Sequence, residues 1–236
     1  MTPERFQRLR WTLDRKQPDL TVLTDQVHKP HNLAAVLRTC DAVGIMNAHV
    51  VLDSTTYRPQ PGTSLGSERW VTVESHERIE PAIQKLRDGG HQVLAAHFSP
   101  QAVDFRSLDY TRPTALLLGA EKHGVSKSAA TDSDVHIVIP MMGMVASFNV
   151  SVAAAIVLAE AQRQRQNAGM YDRVQLEPDH YNAMLFRWAH PVLAAYCDRH
   201  QLPYPELSED GDIRDLADWR NQTGQRAGLD RSLGNP

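Results

Sequence analysis

The stretch Val135-His-Ile-Val-Ile139-Pro-Met-Met-Gly143-Met-Val-Ala-Ser147-Phe-Asn149-Val-Ser151 decides how the chain is read. It opens on a short apolar strand, Val135–Ile139. It then passes through a loop carrying Gly143, Ser147 and Asn149, and ends where a long helix starts, running from about Asn149 to Asn167. Ser147 is read as the cap of that helix, because a small polar side chain at that place accepts from otherwise unpaired backbone N–H groups. Polar residues here interrupt a strand end where packing alone would call for apolar ones.

Working outward, strands and helices alternate from Leu20 to Gly169. Strands are expected at Leu20–Val27, Ala48–Leu52, Trp70–Val73, Gln92–His97 and Thr114–Leu118. Helices are expected from Asn32, read as an N-cap, to Ala42, from Glu77 to Arg87 and near Ser126–Ala130. Such alternation predicts an α/β domain whose mostly parallel sheet has helices on both faces. Before it, Phe6, Leu9 and Leu13 recur at helical spacing, so residues 3–16 read as a helix that Gln17-Pro18 ends. After Gly169 the pattern turns helical, at 179–189, 191–200 and 212–222, with Leu202-Pro-Tyr-Pro extended. The expected organisation is an N-terminal helical arm, 1–19, the α/β domain, 20–169, and a C-terminal helical extension with an acidic tail, 170–236.

The 236 residues suffice for one or two domains, and 42% hydrophobic with 22% charged residues is a globular composition. No run of about 18 apolar residues exists, so no membrane partner is expected. The first residues, MTPERFQRLRWTLDRK, hold no apolar segment of the secretory kind. Cys40 and Cys197 stand alone, which points to a cytoplasmic setting and away from a cysteine metal site. The net charge of −3 argues weakly against nucleic acid, yet it is an average. Residues 1–38 carry seven Lys and Arg against four acids, whereas 205–218 carry six acids and one Arg.

Several chemistries drop out. Neither GxGxxG nor GxxxxGK[ST] occurs, so the dinucleotide fingerprint and the P-loop are missing. His28 and His31 lack companions for a metal site, and no metal is expected. Gly62-Thr-Ser64-Leu-Gly66 matches the nucleophile elbow, but that elbow needs a strand before it and a helix after it. Here a Pro-rich loop precedes it and a strand follows, so a serine hydrolase is the remote reading, tested by Ser64→Ala.

Three segments remain: His28-Lys-Pro-His-Asn32-Leu-Ala-Ala-Val-Leu-Arg38-Thr, then Leu116-Leu-Leu118-Gly119-Ala-Glu121-Lys-His-Gly124, then Ile139 to Ser151. Each begins at the C-terminal end of an expected strand, the edge where open α/β sheets bind ligands. In order and spacing they resemble the three motifs of the SPOUT class of RNA methyltransferases, in its SpoU branch of ribose 2′-O-methyltransferases. The N-terminal helix, Gln26-Val-His-Lys-Pro-His-Asn32 and Ala161-Gln-Arg163-Gln-Arg165-Gln-Asn-Ala-Gly-Met-Tyr171 extend the likeness to bacterial tRNA guanosine-2′-O-methyltransferases. It covers nearly the whole chain and is weakest after about residue 205.

The resemblance implies a deep trefoil knot in the C-terminal part of the α/β domain, S-adenosylmethionine as methyl donor, a homodimer, and tRNA as partner. The methyl would go to the ribose 2′-hydroxyl of guanosine 18 in the D-loop. Catalytic positions carried over are Arg38, Asn32, Glu121, Ser147 and Asn149. Cofactor positions are Ala96, Leu118, Gly119, Ile139, Met144 and Phe148, where Ala96 and Phe148 depart from the Thr and Leu that close relatives tend to carry. A guanidinium is a poor base at neutral pH. Arg38 is therefore either a base assisted by substrate phosphate or a clamp that aligns the hydroxyl. Asn32 and Arg38 lie six residues apart, on different faces of one helix. Phosphate contacts are expected from Arg5, Arg8, Arg15, Lys16, Arg163 and Arg165. A ribosomal-RNA methyltransferase of the same branch and a non-catalytic RNA-binding protein are the alternatives.

Overall fold

The structure is a computed structural model that describes residues 1–52, 69–120 and 122–223. Among these, seven strands form one sheet: β1 (Leu20–Asp25), β2 (Asn47–Val51), β3 (Thr72–His76), β4 (Gln92–Ala96), β5 (Val103–Asp104), β6 (Thr114–Gly119) and β7 (Val135–Val138). Their order is β3-β2-β1-β6-β4-β7-β5, and every neighbouring pair is parallel. The helices are α1 (Pro3–Leu13), α2 (Pro30–Ala42), α3 (Ile79–Asp88), α4 (Lys127–Asp132), α5 (Val150–Asn167), α6 (Pro178–Ala189), α7 (Pro191–His200) and α8 (Leu216–Gln222). Each expected strand and helix has a counterpart, though β3 runs over Thr72–His76 rather than Trp70–Val73. The addition is β5, whose two residues are too few to show an alternating pattern. Asp104 anchors it, accepting from the Arg106 backbone N–H at 2.9 Å and from its guanidinium.

The central strands are buried on both faces, which is why β6 reads as a nearly continuous apolar run, while β1 also buries Thr21, Thr24 and Asp25. Alternate side chains feed two cores. Val22, Leu94, Leu116 and Leu118 pack with Leu37 and Cys40 of α2 and Val157 and Leu158 of α5. Leu23, Val93 and Leu117 pack on the other face with Ile83 and Leu86 of α3.

The described chain divides into two compact units. One is Lys16–Arg173, which holds the whole sheet, and the other joins Met1–Arg15 to the described residues from Val174 on. In the sheet unit, two cations expected at phosphate are instead interior fasteners. Arg165 of α5 is fully buried and donates to Tyr110 O at 2.9 Å, Gln17 Oε1 at 3.1 Å and Asp19 Oδ1 at 2.5 Å. Lys16 is also fully buried, donating to Asp41 Oδ1 at 3.2 Å, Ile45 O at 3.1 Å and Trp70 O at 3.0 Å. The charge count of a segment does not reveal which cations carbonyls have captured.

In the other unit, Phe186, Leu193, Ala194, Cys197 and Trp219 form a small core. Tyr181 of α6 donates to Asp14, just beyond α1, at 2.6 Å. Gly211 has φ +84°, and a Cβ there would lie 2.4 Å from the Phe6 ring of α1. The last helix begins at Leu216 rather than Asp212. The preceding acidic residues are taken by a small turn instead, with Leu207 bridged to Ile213 and Arg214 N donating to Glu206 O at 2.8 Å.

Candidate active site

The C-terminal ends of β4, β6 and β7 open onto a cavity of about 530 Å³, within the usual range for a small-molecule site. All three sequence segments reach it: the first through Lys29, the second through Leu118, Gly119 and Gly124, the third through Ile139, Ser147, Phe148 and Asn149. Ala96, at the end of β4, lines it too. Five of the six expected cofactor positions therefore share one cavity. Met144 does not; its side chain is fully exposed, because the 140–149 loop turns it outward.

Gly119 explains how β6 leaves the sheet. A Cβ there would sit 2.1 Å from both Gly124 C and Val125 N, so the chain can fold back only over a glycine. Ala120 and Gly124 exchange backbone hydrogen bonds of 3.0 and 2.8 Å, and Gly124 takes φ +67°. The close approach at Gly119 is thus to its own chain. Asp25, buried at the end of β1, accepts from the Ser126 backbone N–H at 2.8 Å and ties the far side of this turn. Glu121 lies outside the described residues, as does Ser64.

Asn149, rather than Ser147, caps α5. Its Oδ1 accepts from Ser151 N at 2.9 Å and from Ser151 Oγ at 2.7 Å, and its Nδ2 donates to Asn32 Oδ1 at 3.2 Å. Asn32 is not a cap either. Pro30 suits a first helical turn, so α2 starts two residues earlier, with Lys29 as N-cap, and Asn32 is buried inside the first turn. Arg38, on a different face of α2, is exposed and makes no hydrogen bond or ion pair with any described residue.

Sequence reasoning missed Lys29, His97, Phe98 and Lys122, which also line the cavity. Lys29 and Lys122 sit inside quoted motifs, so proximity was the available signal. His97 and Phe98 follow β4, where no motif points. His97 stacks edge-on against His136 at 5.0 Å, and burial, with that second ring, holds its pKa down. His136 is fixed by Ser99 Oγ at 2.8 Å and Ala130 O at 2.9 Å.

The expected phosphate contacts divide. Arg5 and Arg8 are exposed on α1, and Arg8 and Arg15 stack over Trp11 at 4.6 and 4.2 Å. Arg163 is exposed but paired bidentately with Glu160 at 2.8 and 2.6 Å. Lys16 and Arg165 face the interior.

A parallel α/β sheet whose strand ends build a ligand cavity from three ordered motif loops defines an RNA methylase of the SpoU kind. The chain belongs to the SpoU rRNA methylase family, whose profile matches residues 19–159, with the SpoU rRNA methylase C-terminal profile matching 163–216. It is 48% identical over 221 residues to the tRNA (guanosine(18)-2′-O)-methyltransferase of Escherichia coli K12, covering 93% of this chain and 96% of the relative. Among solved structures it is similar to the TrmH/SpoU tRNA modifying enzyme of A. aeolicus, with TM-score 0.75 and 40% identity over 80% of this chain and 96% of that one. A SpoU methyltransferase from Streptomyces viridochromogenes in complex with AdoMet matches with TM-score 0.57 and 27% identity, over 65% and 64% of the two chains.

Proposed function

We propose that this chain transfers the methyl group of S-adenosylmethionine to the ribose 2′-hydroxyl of guanosine 18 in the tRNA D-loop. The observation that carries the reading is the single cavity fed by all three motif loops, in a chain 48% identical to a relative named for that reaction.

The cavity fits the methyl donor. Among the described residues, none hydrogen-bonds to the backbone of Met141–Phe148, so amides and carbonyls along one wall are free for polar edges. Ala96, Leu118, Ile139 and Phe148 offer apolar contact. S-adenosylmethionine supplies an electrophilic methyl there. Asn149 sets the cavity wall and α2 together through Asn32. Arg38, free of intramolecular partners among the described residues, clamps a substrate phosphate and aligns the hydroxyl, which passes its proton to solvent as the new bond forms.

The finer features belong to the same proposal. Val145 and Val152 are exposed, and Met142 and Met144 almost wholly so. That apolar surface, on and beside the motif loop, suits a second copy of the chain in a homodimer. The returning α5, packed on α2 beside β6, suits the trefoil knot. Residues 20–169 hold the chemistry, and the 1–19 arm and the 170–236 extension serve RNA. No described helix is long and apolar enough to cross a membrane, and both cysteines are free and buried, in keeping with a cytoplasmic enzyme.

The test is incubation with labelled S-adenosylmethionine and unmodified tRNA or ribosomal RNA, followed by mapping of the labelled nucleotide. Label at guanosine 18 is expected. Label confined to ribosomal RNA would redirect the substrate, and no label in any RNA would overturn the catalytic reading.

A further inference from the structure

On the sheet face covered by α3, His49 of β2 lies in register with Glu74 of the edge strand β3, and His76 follows two residues on. His49 Nδ1 and His76 Nε2 approach to 2.9 Å, with the rings stacked at 5.2 Å. Glu74 Oε2 lies 3.8 Å from the first nitrogen and Glu74 Oε1 lies 3.7 Å from the second. All three donor atoms fall within 4.8 Å of one another. Two imidazoles and a carboxylate are a donor set of the zinc class. With metal–ligand bonds of about 2.0–2.1 Å, tetrahedral ligands stand about 3.3 Å apart. The observed separations bracket that edge, so a small relaxation of the three side chains centres an ion among them.

From this geometry we propose that His49, Glu74 and His76 form a binding site for a divalent transition-metal ion such as zinc, clipping β3 to β2. Burial holds the His49 pKa down at about 4 and lowers that of His76, so both rings are neutral at neutral pH. In the metal-free protein one ring donates to the other across their 2.9 Å hydrogen bond, and its proton must shift to the far ring nitrogen when an ion takes the place between them. His91 is close enough to add to the His49 shift, and its Nε2 is buried with no hydrogen-bond partner among the described residues. Without an ion, the carboxylate is held by the ammonium of Lys85 on α3. Lys85 is more than half exposed and can swing to solvent when a cation arrives. Sequence spacing hides the site, since His49 and His76 lie 27 residues apart and only strand pairing brings them together. The proposal stands apart from methyl transfer, because none of the three residues lines the active-site cavity.

The experiment titrates metal-free full-length protein with Co²⁺, followed by its visible d–d bands, with Zn²⁺ as competitor and the thermal midpoint as a second readout. The expected result is about one equivalent per chain with a tetrahedral spectrum, and a higher thermal midpoint on loading. His76→Gln and Glu74→Gln should each weaken binding by at least about tenfold. Lys85→Met should tighten it, because the competing ammonium is gone. That variant leaves all three ligands in place and keeps the test valid should His76→Gln fail to fold. Failure to bind stoichiometrically, binding indifferent to His76→Gln and Glu74→Gln, or weaker binding in Lys85→Met would each overturn the site.

Discussion

Asn149, at the head of α5, donates its Nδ2–H to Oδ1 of Asn32 in α2 at 3.2 Å, while its own Oδ1 caps α5 through Ser151. One amide therefore starts the helix behind the cavity and joins it to the helix that carries Arg38. Asn149→Ala loses both roles and should cost about 1–2 kcal/mol. Asn149→Ser keeps a capping oxygen but has no N–H for Asn32. It should recover most of the thermal stability and little of the methyl transfer. Thermal melts alongside single-turnover assays separate the two roles, and equal recovery of both would show that the link to Asn32 is idle.

Arg38 is exposed and unpartnered among the described residues, so none of the described contacts of the fold rests on its guanidinium. Arg38→Lys keeps a positive charge and loses the planar pair of donors. Stability and tRNA affinity should stay near wild type, while turnover falls about 100-fold through misalignment of the hydroxyl. Near-wild-type methyl transfer by this variant would remove Arg38 from the reaction.

Gly119→Ala places a methyl 2.1 Å from the backbone of Gly124 and Val125. Backbone cannot rotate out of the way, so the turn between β6 and α4 must open. The expected cost is about 1–3 kcal/mol in stability, as for an overpacked core. S-adenosylmethionine affinity should fall too, because this turn is one wall of the cavity. Calorimetric titration of the cofactor checks it, and unchanged affinity would mean that the turn is remote from the bound molecule.

The sheet and its helices were legible because a buried parallel strand such as Thr114–Gly119 leaves an apolar run that no polar role obscures. The three motifs were legible for a related reason, as each puts polar residues at a strand's C-terminal end, joined by glycine in the second and third. What stayed hidden depended on distant partners. Ser147 and Asn149 both look like caps, and only the fold shows which one meets Ser151 and Asn32. Pro30, two residues before Asn32, shifted the start of α2 and turned an expected cap into a buried link. Lys16 and Arg165 read as surface cations, because the carbonyls that hold them come from residues far along the chain.

Arg163 and Arg165 lie two residues apart on α5 and should respond in opposite ways. Arg163 is paired with Glu160 one turn back on an exposed face, so Arg163→Ala should leave stability nearly unchanged. Arg165→Met removes a buried guanidinium and deprives Asp19, Gln17 and the carbonyls of Tyr110 and Arg112 of its donors. Its cost should be about 3–5 kcal/mol. Denaturant titration of both variants gives the comparison, and a small effect at Arg165 would return it to the set of candidate RNA contacts.

The outward cations of α1 make the complementary prediction. Trp11 is exposed between Arg8 and Arg15, whose guanidinia lie 4.6 and 4.2 Å from the ring centre. The indole face steadies the exposed Arg8, while Arg15, half-buried just beyond α1, also donates to Trp11 O at 3.0 Å. Each phosphate contact made by this helix should contribute about 0.7–0.9 to the slope of log affinity against log salt. Arg8→Ala should therefore weaken tRNA binding at low salt and flatten that slope by about one such increment, with cofactor affinity unchanged. Trp11→Ala should weaken binding less and keep the slope, because it loosens the two cations without deleting either. Filter binding of unmodified tRNA across a salt series reads both quantities. A slope left intact by the Arg5→Ala, Arg8→Ala double variant would remove α1 from the RNA-binding surface.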